Sequence, residues 1–274
     1  MTRRRSLAGL AAVFAAGMAQ SADLKQRDPD RLQEAAVSTA SSGKAGDLAE
    51  LTKALSDGGF LQRLDPGPNE VKRLAEVFRA LAAHPSPSTA QLCVRVAESG
   101  AFLAVPARLN LLLPALGAVR PMTAQAGALF LKTGRAGYLD VNVPLLAANA
   151  SPEAIKVLET LLADESLQRV SAVHWGILPN RLRPGVVEAC SRVLGRATLS
   201  ADVAVAIIES LFDNRPAEWF GKRGAYPTPP NWNSAPAPTR VAYRGLAATV
   251  RQRAEVPEHL RKTIDRVLAE LGKG

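Results

Sequence analysis

The sequence predicts an all-α protein, a right-handed α-solenoid built from stacked pairs of helices, on three observations. Prolines recur through the middle of the chain and divide it into blocks of 34, 31, 32 and 32 residues. Apolar residues within the blocks are spaced three and four apart, as in helices, and alanine and leucine dominate. A repeat of this length cannot bury an apolar face alone, so it stacks on its neighbours. The prolines that mark the blocks are Pro87, Pro121, Pro152, Pro184 and Pro216.

Residues 1–22 are predicted to be a signal peptide. Three arginines at positions 3–5 precede an apolar run that ends near Ala19, and small residues follow. The run is too short to span a bilayer, and no later stretch has the ~20 apolar residues of a membrane helix. We expect cleavage between Gln20 and Asp23 and a mature protein in the periplasm or outside the cell. The Sec and twin-arginine export routes both stay open.

Residues 23–86 are predicted to form capping helices at one end of the array. Asp28, which is followed by proline, is typical of the cap of a first helix. A glycine-rich break separates this helix from a second one, which we expect Asp47 to cap and Gly58 to end. A third helix, capped by Asn69, completes the segment.

Residues 87–213 are predicted to hold four helix pairs. Almost nothing in this region alternates with period two for long enough to form a strand. The expected pairs are 88–99 with 107–119, 122–133 with 139–150, 153–164 with 167–178, and 185–195 with 200–213.

The two cysteines of the chain are predicted to be buried free thiols. Cys93 and Cys190 fall on the first helices of blocks that lie three repeats apart. Because packed helices sit roughly 10 Å apart, their Cα atoms are expected to exceed the ~7 Å limit for a disulfide. Neither cysteine has ligands at the spacing of a zinc site, so no metal is predicted.

One turn in the repeat region resembles the turn of a HEAT repeat. Asp164 ends the first helix of its block and Arg169 opens the second, which are the polar positions of that family. Ala172 and Val173 match the inner face of its second helix. The other blocks depart from the pattern, with a glycine near the acidic position. The resemblance implies a helical scaffold with a binding role and names no ligand.

Residues 214–239 interrupt the helical pattern, because six prolines forbid a continuous helix. Aromatic and basic side chains in this loop can stack on a sugar or hold a peptide. The same composition suits a strap that packs against the edge of the array, and both interpretations stay open. The candidate partner-binding residues are Trp219, Phe220, Lys222, Arg223, Tyr226, Trp232 and Arg240.

The stretch 219–223 also resembles a short insertion in HEAT segments of large secreted bacterial proteins. Those proteins join a propeller similar to sugar dehydrogenases to a haem domain. This chain has no Cys-x-x-Cys-His motif and no run of strands for a propeller. The resemblance therefore implies a separate scaffold that acts near envelope redox or dehydrogenase systems.

Residues 240–274 are predicted to close the array with two helices, 240–253 and 257–271. From residue 214 onward the chain has 11 basic and 5 acidic residues, whereas the preceding part is nearly balanced. A basic end can attract an acidic protein or an anionic envelope polymer, and a solvated surface is the plain alternative. Export argues against a nucleic-acid partner.

The sequence contains no recognisable catalytic or cofactor motif. Walker, Rossmann, His-Glu-x-x-His and Gly-x-Ser-x-Gly patterns are missing, and His174 is interpreted as a packed or surface residue. We predict a non-catalytic, exported protein-interaction scaffold without a cofactor. The alternative is a glycan-binding module that uses the 214–239 loop, and a hydrolase with an unrecognised site is the third hypothesis.

Overall fold

The computed structural model describes residues 23–67, 71–103, 105–164, 166, 170–196, 198–213 and 231–272. This part of the chain is all-α, without a strand, and none of its helices is long and apolar enough to cross a membrane. In chain order the helices are α1 (Pro29–Ser42), α2 (Ala45–Leu55), α3 (Gly58–Leu64), α4 (Lys72–Ala83), α5 (Pro87–Glu98), α6 (Gly100–Leu103), α7 (Pro106–Ala118), α8 (Ala124–Thr133), α9 (Leu139–Asn149), α10 (Pro152–Leu162), α11 (Val170–Ile177), α12 (Pro184–Leu194), α13 (Ala201–Phe212), α14 (Ala237–Arg251) and α15 (Glu258–Leu271).

The contacts between these helices follow two rows. In the first row, α2, α5, α8, α10, α12 and α14 contact one another in that order. In the second row, α1, α4, α7, α9, α11, α13 and α15 do the same. Helices of the two rows also pack on each other, as in the pairs α9 with α10 and α14 with α15. This packing is compatible with a helical repeat fold.

The prolines of the sequence repeat mark the starts of first-row helices. Pro87, Pro152 and Pro184 are the first residues of α5, α10 and α12. A proline costs nothing at this position, because its missing N–H has no partner within the helix. Pro121 precedes α8, whose cap is Thr123. The fifth proline of the pattern lies outside the described residues.

The N-terminal helices agree only in part with the sequence predictions. Asp28 caps α1 as predicted, because its carboxylate accepts two backbone N–H groups of the first turn. Asp47 is not a cap, since α2 begins at Ala45 and Asp47 lies within its first turn. Gly58 begins α3 instead of ending a helix, because the Asp57 carboxylate caps this short helix. The predicted cap of α4, Asn69, lies outside the described residues.

Three helices of the second row, α7, α9 and α11, lie in close contact because glycines occupy the points where they meet. A Cβ atom on Gly117 of α7 would lie 3.2 Å from the Cβ of Leu145 on α9. A Cβ atom on Gly176 of α11 would lie 2.9 Å from the backbone carbonyl carbon of Val143. Because real Cβ contacts are not this short, α11 can approach the α9 backbone only with glycine at this position.

Buried asparagines connect the helices of this region through the backbone. The Asn142 side chain donates to the Phe130 carbonyl at 2.8 Å, which joins α9 to α8. The Asn149 side chain donates to the Val119 carbonyl, also at 2.8 Å, and so holds the end of α7. Each bond lies in the buried core and ties a side chain of α9 to the backbone of a neighbouring helix or its end.

Cys93 and Cys190 are buried free thiols, as predicted. They lie on α5 and α12, and the first row places α8 and α10 between these helices. Burial raises the pKa of each thiol to about 12. Both cysteines are therefore protonated packing residues at neutral pH.

Candidate functional site

The structure describes only two of the seven candidate partner-binding residues, Trp232 and Arg240. The predicted signal peptide, residues 1–22, also lies outside the described residues, as does Arg169 of the HEAT-like turn. The other candidates outside the described residues are Trp219, Phe220, Lys222, Arg223 and Tyr226.

Trp232 lies in the core, with 3% of its surface exposed. The Arg181 guanidinium carbon lies 4.1 Å from the centroid of its ring. Tyr243 meets the same ring edge to face at 4.9 Å, and Phe212 meets Tyr243 in the same way at 5.2 Å. We call these four residues the arginine–aromatic cluster. Its geometry matches the strap interpretation of Trp232.

Arg181 places a buried positive charge in the arginine–aromatic cluster. Its side chain is held by the Trp232 ring and by a 2.9 Å hydrogen bond from Nη1 to the Asp213 carbonyl. Burial lowers the pKa of Arg181 to about 10, so the guanidinium stays charged at neutral pH. The Tyr243 hydroxyl donates to the Arg181 carbonyl at 2.9 Å. Two members of the cluster, Phe212 and Trp232, come from opposite sides of residues 214–230 in the sequence, so the cluster joins the end of α13 to the start of the C-terminal part of the chain.

Arg240 lies at the start of α14 and is half-buried. Its Nε donates to the Ala235 carbonyl at 3.0 Å, which closes the turn before the helix. The neighbouring Thr239 hydroxyl donates to the Leu182 carbonyl at 2.9 Å and so fixes α14 to the turn before α12. Of the two described candidates, Arg240 is therefore the one with surface to offer a partner.

A second buried polar group joins α11 to α13. His174 Nδ1 lies 2.9 Å from the Ser210 hydroxyl, and its Nε2 lies 3.5 Å from a Glu209 carboxylate oxygen. The Ser210 hydroxyl donates to the Ala206 carbonyl at 2.7 Å. Desolvation lowers the pKa of His174 to about 4, and burial raises the pKa of Glu209. These contacts give Ser210 a structural role, because its hydroxyl is buried and bonded to the backbone.

The outward side of α7 and α9 carries apolar residues, a feature that the sequence analysis did not identify. Five of these residues form a set that we call the apolar strip. One of them, Pro114, is exposed, and the other four are half-buried. The members of the strip are Leu111 and Pro114 on α7, and Val141, Pro144 and Leu145 on α9.

The neighbours of the apolar strip in the second row are α4 on one side and α11 on the other. On α4 the outward positions include Glu76 and Arg79, whereas α11 has no Asp, Glu, Lys or Arg. The helices of the strip itself, α7 and α9, have one charged residue each, Arg108 and Asp140. The middle of the second row, from α7 to α11, is thus poor in charge compared with α4.

Proline within a helix is an unusual component of this surface. Pro114 and Pro144 lie inside α7 and α9. A proline in a helix interior removes a backbone hydrogen bond and costs ~3 kcal/mol or more unless neighbouring helices compensate. Both prolines lie toward the outward side, where they fill space with a rigid apolar ring. Two of the five residues of the strip are therefore prolines.

Among the described residues, no three His, Cys, Asp or Glu side chains are grouped so that they could hold a metal ion. The comparisons with known proteins give no relative: no protein-family model matches the chain, and no curated protein and no solved structure matches it. The function is therefore argued from the apolar strip and its surroundings.

Proposed function

We propose that this chain is an exported, non-catalytic protein-interaction scaffold and that its protein partner docks on the apolar strip. In this proposal the two rows of helices form a right-handed α-solenoid of HEAT-like pairs. The observation that carries the proposal is the apolar strip itself, a set of apolar surface residues on two helices, α7 and α9, that have only one charged residue each.

The composition of the strip and its borders is that of a protein interface. The core of such an interface is depleted in charge, and its rim is polar. Leu111, Val141 and Leu145 supply the aliphatic contact. The charged groups around them are Arg79 on the neighbouring α4, and Arg108 and Asp140 on α7 and α9 themselves. Burial of apolar surface contributes roughly 25 cal/mol per Å², so a partner gains free energy by covering these side chains.

A protein partner fits the strip better than a glycan. Sugar recognition uses aromatic rings, and the strip contains none. Trp232, a candidate for sugar stacking, is in the core, where its ring contacts Arg181 and Tyr243. The glycan-binding alternative would therefore depend on aromatic residues within 214–230.

The location and the class of the partner rest on the sequence. The arginines at 3–5 and the apolar run after them support export. The resemblance of residues 219–223 to a segment of secreted dehydrogenase and haem proteins supports a partner from an envelope redox system. N-terminal sequencing of protein from the culture tests export directly: a chain that begins between Gln20 and Asp23 supports it, and a retained Met1 contradicts it.

The docking proposal is tested by introducing charge into the strip. Leu111→Lys and Val141→Lys are combined in one variant, since both side chains are half-buried and a lysine stem can extend to solvent. We expect this variant to lose the partners that co-purify with the wild-type protein from the source organism. Thermal unfolding should change by only a few degrees.

A matched control adds the same charge to the first row. Gln125→Lys and Ala128→Lys on α8 lie at exposed positions and should leave the partners bound. Equal loss of partners from both variants would reject the strip as the docking site. A different result would support the glycan alternative. In that case the strip variant keeps its protein partners, and a variant with substitutions in residues 214–230 loses a polysaccharide ligand.

A further inference from the structure

The C-terminal helix of the first row, α14, has one side on which no other described helix packs. In the described part of the chain, α14 packs mainly against α12 and α15, and its buried residues face them. The opposite side of α14 holds Val241, whose surface is 66% exposed. Among the described residues, Val241 is the one large apolar residue that is exposed to solvent. A helix in the middle of the row has a neighbour on this side.

The open side of α14 has the shape for close packing by another helix. Gly245 and Ala248 follow Val241 at helical spacing of four and three, so all three lie on one side of the helix. Gly245 and Ala248 are exposed, and a Cβ atom on Gly245 would meet no atom within 4 Å. Small residues at these positions let an approaching backbone come near while Val241 provides an apolar contact.

A row of positive charge borders this side. Arg240, Arg244 and Arg251 lie along one edge, and α14 contains no acidic residue. Arg240 donates to the Ala235 carbonyl and Arg244 donates to the Leu271 carbonyl. Because a carbonyl group is neutral, neither bond compensates the charge of the arginine. Arg251 pairs with Asp265 across an exposed contact of 3.1 Å. The edge therefore keeps a net positive charge that favours an acidic partner.

We propose that the open side of α14 is a second docking surface and that its occupant is an acidic amphipathic helix of a protein partner. Small and apolar residues of that helix pack on Val241 and Gly245, and its carboxylates face Arg240 and Arg244. The occupant continues the first row by one helix. This surface is distinct from the apolar strip and would bind a different segment.

Charge disfavours a second copy of this chain as the occupant. If α14 packed on α14 of another copy, the two arginine edges would meet and repel. If it packed on α2, the other end of the first row, it would meet charges of both signs, since Lys44, Glu50 and Lys53 are all exposed there. An acidic helix avoids the repulsion of the first arrangement and matches the arginine edge better than the mixed charges of α2.

Binding of synthetic peptides to the full-length protein tests this proposal. The probe is a labelled amphipathic peptide as long as α14, with leucine and alanine on one side and glutamate along both edges. A control peptide replaces every glutamate by lysine. We expect fluorescence anisotropy to show saturable binding of the acidic peptide that weakens with salt, and at least ~10-fold weaker binding of the basic peptide.

Three variants separate the proposed surface from general charge attraction. Val241→Asp and Arg244→Gln should each weaken the acidic peptide ~5-fold or more, since each removes one of its contacts. Arg266→Gln on α15 makes the same charge change as Arg244→Gln at another exposed position and should change binding less than ~2-fold. Circular dichroism confirms that all three variants are folded.

Each other outcome overturns the proposal in a distinct way. Equal binding by the acidic and basic peptides excludes an acidic-helix site. Equal weakening by Arg244→Gln and Arg266→Gln, with no effect of Val241→Asp, shows general polyanion attraction, which heparin binding would then share. Dimerisation that Val241→Asp abolishes identifies a second copy as the occupant. The Leu111→Lys and Val141→Lys variant should bind the acidic peptide normally, so this test is independent of the apolar strip.

Discussion

The middle of the second row and the C-terminal end of the chain contain opposite kinds of helix. α7 and α9 have one charged residue each, whereas α15 has six Asp, Glu, Lys or Arg residues. A helix in the middle of a row has neighbours on both sides, so its apolar residues spread around more of its circumference than on an end helix. Neighbours do not explain why the outward side of α7 and α9 is apolar as well, and the docking proposal accounts for this excess.

The two regions also differ in how they are held together. At Gly176 the backbone of α11 packs directly on the backbone of α9. The fit between these two helices therefore depends on glycine at this position. The C-terminal end instead depends on the arginine–aromatic cluster, in which Trp232, Arg181 and Tyr243 join three segments. Substitutions in the two regions should therefore differ in kind and in size.

The largest effect is expected at Trp232. Trp232→Ala should lower the free energy of unfolding by about 3–5 kcal/mol, because a buried aromatic ring is lost and a cavity remains. The Arg181 guanidinium would also lose its stacking partner. Trp232→Phe keeps an aromatic ring and should cost less than half as much. Urea unfolding of both variants provides the measurement, and a loss under ~1 kcal/mol for Trp232→Ala would show that the cluster does not hold this end.

The next effect contrasts two glycines at helix surfaces. Gly176→Ala should destabilise the protein by about 3 kcal/mol, because its Cβ would overlap the Val143 backbone on α9. Gly245→Ala on α14 meets no neighbour and should stabilise by about 0.5–1 kcal/mol through helix propensity. Thermal unfolding of the pair measures the difference. Equal effects of the two substitutions would contradict the difference in packing between the regions.

The third effect is a loss of stability in acid through His174. Its pKa is lowered from 6.5 to about 4 by burial, so its contribution is complete above pH 6.5 and is lost as the pH falls toward 4. Between about pH 7.5 and pH 5 this amounts to about 2 kcal/mol. The pKa of Glu209 is raised by burial, and that carboxyl therefore acts in the opposite direction.

Comparison with a variant isolates the His174 contribution. His174→Gln removes the titrating group and leaves Glu209 in place, so the difference between the two proteins reports the histidine. Urea unfolding at both pH values should show a smaller loss in acid for His174→Gln than for the wild type. An identical loss in both proteins would assign the acid sensitivity to other groups.

The smallest effect is expected at the surface pair between Arg251 and Asp265. Both side chains are about half exposed, at 52% and 48%, and exposed ion pairs contribute roughly 0.2–1 kcal/mol. A double-mutant cycle with alanine at both positions should give a coupling energy below ~1 kcal/mol that decreases with salt. A larger coupling would mean that the charged end is held by its ion pairs as well as by its core.

Much of the fold could be predicted because local signals agree with the tertiary contacts. Pro87, Pro152 and Pro184 fix helix starts through a property of the residue itself, and Asp28 caps α1 for the same reason. The short helices α3 and α6 were missed because both begin at glycine, which is typical of a break. Gly58 can begin a helix since Asp57 supplies the cap.

The candidate sites were less predictable, because they depend on which side of a helix faces a neighbour. In the sequence, Trp232 lies in a segment whose aromatic and basic residues are typical of a binding loop. In the structure its ring is in the core and packs against Arg181, which the sequence does not indicate. Arg181 itself looks like a solvent-exposed turn residue in the sequence. The apolar strip did leave a signal, since α7 and α9 are almost without charge, but core and docking residues share that property.

Site-specific photo-crosslinking in living cells tests the central claim most directly. A photoreactive residue is placed at Val141 in the apolar strip or, in a second protein, at the exposed Ala128 on the first row. We predict that crosslinked protein adducts form at Val141, that mass spectrometry assigns them to one segment of one partner, and that Ala128 gives none of them. The same adducts at both positions, or none at Val141 while the protein is folded and abundant, would contradict the assignment of the apolar strip as the docking surface.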